Sequence, residues 1–150
     1  MVPYHIILAD NHGPLRQGLR RILDEQPDLE ITAEAGDGLD LFNRLRSSGT
    51  APLIVILDSL LPNLPGNEAA WKIKAIRRET KVLILSTHED EEYLSQALSS
   101  GAEGYLMLES IDTELLRAIE TIREGKVYDP RVAPGAVAYC PQTHYGNGKR

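Results

Sequence analysis

The sequence has little cysteine, few aromatic residues and no long apolar run. Cys140 is the single cysteine in 150 residues, so an intrachain disulfide and a cysteine-based zinc site are both excluded. No apolar stretch approaches the roughly 20 residues that span a bilayer, and the N-terminus lacks a basic region followed by a secretory apolar core. We therefore expect a cytoplasmic protein without membrane contact.

The sequence also has fewer basic than acidic residues. Lys and Arg total 16 against 22 Asp and Glu, which gives a formal net charge of −6. This balance argues against direct binding to nucleic acid, so any DNA contact would need an output domain that the chain does not show. A hydrophobic content of 42% and a charged content of 25% fit a soluble globular domain.

Five apolar runs alternate with segments of helical periodicity, which is typical of a parallel sheet with helices on both faces. We expect an α/β fold of the doubly wound, flavodoxin-like (βα)5 kind, with strand order 2-1-3-4-5. Its crevice should lie outside the carboxyl ends of strands one and three. The predicted strands cover residues 5–9, 29–35, 53–57, 82–85 and 104–107.

The helical period fails after Gly125, where proline and glycine interrupt the chain. We therefore predict one domain over residues 1–125. Residues 126–150 are expected to form a linker or mobile tail without an output domain.

Polar residues follow three of the predicted strands. Asp10 and Asp58 end the first and third apolar runs, Ser86 ends the fourth, and Tyr105 lies in the fifth. Because parallel strands present their carboxyl ends at one edge, these side chains are expected to meet there. In order and spacing, over residues 5–124, this set resembles the receiver domain of bacterial two-component response regulators.

Two short motifs bring the resemblance close to receivers of the NarL/FixJ type. These typically read Asp-Asp-His near the start and Gly-Tyr-Leu-Leu-Lys near the fifth strand. The chain reads Asp10-Asn11-His12 and, from Gly104, Gly-Tyr-Leu-Met-Leu.

The resemblance implies that Asp58 accepts a phosphoryl group from a sensor histidine kinase. It also implies a Mg²⁺ site formed by Asp10, Asn11, Asp58 and the backbone carbonyl of Leu60, with Ser86 and Tyr105 as switch residues. The expected role is regulation of an output, such as transcription, through protein contacts, and homodimers occur in the family. Such a module is a signalling protein rather than an enzyme.

Two departures from the family pattern predict an atypical pocket. Asn11 replaces an acid and removes one ligand charge, and Leu108 replaces a lysine that would contact the phosphoryl group. Weakened Mg²⁺ binding and phosphorylation-independent signalling are therefore one reading. The alternative is a conventional receiver that uses Asp58 with Mg²⁺.

Other readings of the same residues predict other roles. An aspartyl phosphohydrolase would need an acid where the chain has Leu60, and a flavin-binding module would need a donor-rich loop at residues 11–14. Asp58 could merely cap a turn, while Ser86 could be an ordinary strand-end hydroxyl and Tyr105 an ordinary half-buried tyrosine. The remaining candidates are interpreted as non-functional, with two histidines as non-ligands and a tryptophan that packs near the third helix: His12, His88 and Trp71.

Overall fold

The computed structural model describes residues 3–49, 51–87 and 91–131. Five parallel strands form one sheet in the order β2-β1-β3-β4-β5, as the sequence predicts. The strands are β1 Tyr4–Ala9, β2 Leu29–Ala35, β3 Leu53–Asp58, β4 Lys81–Ser86 and β5 Gly104–Met107. The helices are α1 Gly13–Asp24, α2 Gly38–Arg46, α3 Gly66–Ile76, α4 Glu91–Ser99 and α5 Ile111–Arg123, with a short 3-10 helix at Leu108–Ser110.

Helices cover both faces of the sheet and bury two apolar clusters. The first cluster joins the sheet to α2, α3 and α4, and the second joins it to α1 and α5. Every residue of β3 is buried, because β3 lies at the centre of the sheet with helices above and below. This double burial explains why the sequence of β3 is a continuous apolar run rather than an alternating one.

The interpretation of Trp71 as a packing residue is wrong, because its side chain is 54% exposed. The buried face of α3 is formed by Ala69, Ala70 and Ile73, and the helical period turns Trp71 away from it. Its near neighbour is the Lys72 ammonium, 5.8 Å from the ring centroid.

The chain continues to pack on the sheet after α5 ends. The Tyr128 amide donates to the Glu103 carbonyl at 2.8 Å, and the Tyr105 amide donates to the Tyr128 carbonyl at 3.1 Å. Val127 is buried. The domain boundary after Gly125 stays a prediction, and most of the expected tail, including Cys140, lies outside the described residues.

Within the described parts of the chain, none of the helices combines the length and the apolar character needed to cross a membrane.

Candidate functional site

Strand register brings the predicted site residues to one edge of the sheet. Ala9 pairs with Leu57, so the next residues, Asp10 and Asp58, lie side by side. Asp58 pairs with Leu85 on its other side, which places Ser86 one step beyond it. The carboxyl ends of β1, β3 and β4 therefore bring two carboxylates and a hydroxyl to one edge of the sheet, as the sequence predicts.

Asp10 is almost fully buried, with 2% of its surface exposed. Its Oδ1 atom accepts a hydrogen bond from the His12 amide at 2.9 Å, whereas its Oδ2 atom has no hydrogen-bond partner. Burial raises the pKa of the Asp10 carboxyl, and the nearby charge of Asp58 raises it further. The His12 amide and the Arg16 guanidinium act in the opposite direction and lower this pKa.

Asp58 is held by the turn that follows β3 and is 7% exposed. Its Oδ1 atom accepts from the Leu60 amide at 3.0 Å, and the Ser59 amide donates to the Leu85 carbonyl at 2.8 Å. The first contact is an Asx turn, so Asp58 does cap its own loop. One carboxylate oxygen is fixed in this way, which orients the side chain at this edge of the sheet.

The loop after β3 approaches α4 closely at Gly66. A Cβ atom at this position would lie 2.8 Å from the Tyr93 hydroxyl and 3.1 Å from Ser59 Cβ. Burial raises the pKa of Tyr93, while hydrogen bonds from the backbone of Gly66 and Asn67 lower it. Tyr93 thus connects α4 to the start of α3.

Ser86 and Tyr105 are both fully buried. The Tyr105 ring meets the Tyr93 ring edge to face, with centroids 6.4 Å apart and an interplanar angle of 72°. Aromatic pairs at this separation and angle are favourable beyond their buried area. Tyr93 therefore links Tyr105 of β5 to the start of α3, where the loop that follows Asp58 ends.

The donor set at the edge fits a hard divalent cation such as Mg²⁺. Asp10 and Asp58 supply carboxylate oxygens, and the unpartnered, buried Oδ2 atom of Asp10 is the kind of atom that a metal would satisfy. Asn11 is exposed at the same edge. No cluster of three or more His, Cys, Asp or Glu suited to a metal was found in the described ranges, so water and backbone oxygens would complete the coordination.

Leu108 follows Met107, which pairs with Ser86, so the chain passes the same edge there. The Leu108 side chain packs against the apolar cluster formed with α1 and α5. With Leu15, Leu19 and Ile111 it lines a cavity of about 180 Å³ between α1 and the start of α5. Leu108 thus offers the edge no cation. His88 lies outside the described residues, and His12 contributes its backbone amide to the site.

Sequence reasoning missed three residues that shape this edge: Arg16, Glu34 and Tyr93. Arg16 lies in the first turn of α1, and its side chain reaches Asp10, the residue that follows β1. Glu34 lies on β2, beside Leu8 of β1. The four-residue step from His12 to Arg16 along α1 was the available signal, because residues one helical turn apart share a face.

The chain belongs to the response regulator receiver domain family, whose model matches residues 6–120. It is a receiver domain of a two-component response regulator of the NarL/LuxR type. It is 40% identical over 124 residues to the oxygen regulatory protein NreC of Staphylococcus epidermidis, a match that covers 82% of this chain and 56% of that protein. The chain therefore spans about half the length of the curated relatives it matches.

Solved structures agree with this assignment. A two-component response regulator of the LuxR family from Aurantimonas is 32% identical, with a TM-score of 0.76 over 88% of this chain and 91% of that one. The signal receiver domain of NarL from Mycobacterium tuberculosis is 25% identical, with a TM-score of 0.73 over 84% of this chain and 100% of that one. Receiver domains normally bind Mg²⁺ at the phosphorylation site, and they act as signalling modules.

Proposed function

We propose that Asp58 is the phosphoacceptor of an atypical receiver. Its pocket binds Mg²⁺ and the phosphoryl group more weakly than a receiver that has the family's usual acid and lysine at the positions of Asn11 and Leu108. The observation that supports this most directly is the pairing of β1 with β3, which sets Asp58 beside the buried Asp10. A sensor histidine kinase is the proposed donor. Control of an output such as transcription through protein contacts is the proposed consequence.

The chemistry needs an oriented nucleophile and neutralised charge. A carboxylate oxygen of Asp58 attacks phosphorus, an aspartyl P–O bond forms, and the P–N bond of phosphohistidine breaks, with the imidazole leaving. The Leu60 amide, 3.0 Å from Oδ1, holds one oxygen in place, so Oδ2 is the proposed nucleophile. A bound Mg²⁺ would neutralise charge on the phosphoryl oxygens.

Two residues support the weakened form of this chemistry. Asn11 brings an uncharged amide to the proposed metal site, and Leu108 packs into an apolar cluster instead of offering a cation. A hydrogen bond to a charged group contributes about 1.5–3 kcal/mol, so loss of the lysine contact alone lowers phosphorylation by about 10- to 100-fold. Ser86 remains as a hydroxyl donor and Tyr105 as the proposed switch residue.

The test is acyl-phosphate transfer measured by intact mass. The protein is incubated with Mg²⁺ and phosphoramidate or acetyl phosphate and compared with Asp58→Asn and with the surface control Asp112→Asn. We expect one slow phosphoryl adduct in the parent and in Asp112→Asn, and none in Asp58→Asn. An adduct that persists in Asp58→Asn would exclude Asp58 as the acceptor.

Absence of any adduct would favour the second candidate, a phosphorylation-independent receiver. The packing of the partly buried Leu108 side chain against apolar neighbours is what favours this candidate. Its conformation would then be set by a partner protein rather than by a phosphoryl group.

A further inference from the structure

Arg16 brings a positive charge directly to the acceptor pocket. One terminal nitrogen donates to the Asp10 carbonyl oxygen, and Nε lies 3.5 Å from Asp10 Oδ1. The same Nε atom lies 3.3 Å from Glu34 Oε1. Because Nε makes a hydrogen bond to neither carboxylate, these two contacts are electrostatic, and the guanidinium is held by the Asp10 backbone carbonyl rather than fixed to either side chain.

The neighbouring basic residue Arg20 forms its ion pairs with other acids and not with Asp10. Arg20 is paired with Glu34 Oε2, and also lies 3.8 Å from Asp24. Among the ion pairs of the described residues, Arg16 is the single basic partner of Asp10. Since Leu108 supplies no cation and Asn11 no charge, Arg16 is the cationic side chain that acts on Asp10, alongside the His12 amide.

We propose that Arg16 is a positioning residue that acts as the resident counterion of the acceptor pocket and competes with Mg²⁺ for Asp10. The proposal deepens the proposed function, because it concerns the same two carboxylates. In the metal-free pocket, Arg16 offsets the repulsion between Asp10 and Asp58. When a divalent cation binds, the guanidinium is displaced toward Glu34, and that displacement lowers the affinity for the metal.

The size of the effect follows from charge. A singly charged guanidinium and a doubly charged ion that share one carboxylate repel each other enough, even at the dielectric constant of water, to change affinity about 10-fold. Arg16 is 29% exposed, which supports the use of this lower, water-like estimate. Removing the charge should therefore tighten Mg²⁺ binding about 10-fold.

The experiment is a calorimetric Mg²⁺ titration of the full chain at pH 8, repeated at two ionic strengths. Arg16→Gln removes the charge, Arg16→Lys keeps it, and Arg21→Gln removes an equal charge from the exposed side of the same helix. We expect about 10-fold tighter binding in Arg16→Gln, parent-like binding in Arg16→Lys, and less than a twofold change in Arg21→Gln. When Asp10→Asn is combined with Arg16→Gln, the tighter Mg²⁺ binding should disappear. That loss would locate the effect of Arg16 at Asp10.

Unchanged or weaker Mg²⁺ binding in Arg16→Gln would overturn the proposal, and so would equal tightening in Arg21→Gln. Circular dichroism checks that each variant is folded. If Arg16→Gln does not fold, Arg16→Met provides a second neutral variant. The result is separable from the phosphoacceptor test. The Mg²⁺ titration reports on Asp10 and Arg16. The phosphoryl adduct, compared between the parent and Asp58→Asn, reports on the nucleophile.

Discussion

The partly buried ion pair between Lys74 and Glu103 gives a quantitative prediction for stability. Lys74 Nζ lies 2.6 Å from Glu103 Oε2 and donates to the Thr80 carbonyl at 2.9 Å, while Glu103 Oε1 accepts from the Val82 amide at 2.9 Å. In Glu103→Gln, the amide oxygen can still accept from the Val82 amide. The amide nitrogen then faces the Lys74 ammonium, so two donors meet and the charge of Lys74 loses its partner. Breaking one partner of a buried pair costs about 3–5 kcal/mol.

Lys74 retains partial exposure, with 23% of its side chain accessible, so the lower end of that range applies. We expect Glu103→Gln to lower the free energy of unfolding by about 3 kcal/mol, measured by urea denaturation followed by circular dichroism. Glu124→Gln is the matched control, because Glu124 meets Lys126 at 3.4 Å on the surface. It should change stability by less than about 0.5 kcal/mol. A loss below about 1 kcal/mol in Glu103→Gln would refute the reasoning.

Three further predictions concern the site and its frame. Leu108→Lys should speed formation of the Asp58 adduct by about 10- to 100-fold, as measured by intact mass, whereas Leu108→Met should leave the rate near that of the parent. Gly66→Ala should cost about 1–3 kcal/mol in urea denaturation, because its Cβ would lie 3.2 Å from the Ser59 Cα atom. Burial raises the pKa of Tyr4 to about 12. The unfolded chain therefore loses this proton first, and stability should fall between about pH 10 and pH 12 by up to about 1.4 kcal/mol per pH unit. Tyr4→Phe should show a shallower fall over the same range, and an identical profile would contradict the assignment.

The sheet could be predicted because its strands carry their own signal. The run 53–57 is apolar at every position, and the acid that ends it marks the edge where the chain turns. The structure extends that strand to Asp58 itself, and begins β4 at Lys81 and ends it at Ser86. Polar residues at strand ends are ambiguous in a sequence, since a ladder hydrogen bond does not depend on the side chain.

The neighbours of the site could not be predicted in the same way. Arg16 and Tyr93 look like ordinary polar or surface positions of helices, and their role depends on how α1 and α4 are rotated against the sheet. That rotation is set by packing in three dimensions, at Leu19 for α1 and at Leu94 for α4. Glu34 is still harder to recognise, because alternation along β2 predicts only an exposed acid.

The pairing of Tyr128 with β5 keeps the chain attached to the domain beyond Gly125. The Arg131 guanidinium reaches Ser95 Oγ of α4 at 3.1 Å, so the anchored segment runs at least to that residue. A tether to any neighbouring domain would then start no earlier than residue 131 rather than at 125, which removes at least about 20 Å of contour length. Because effective concentration depends on tether length, release of Tyr128 from Glu103 and Tyr105 would change how often two joined domains meet.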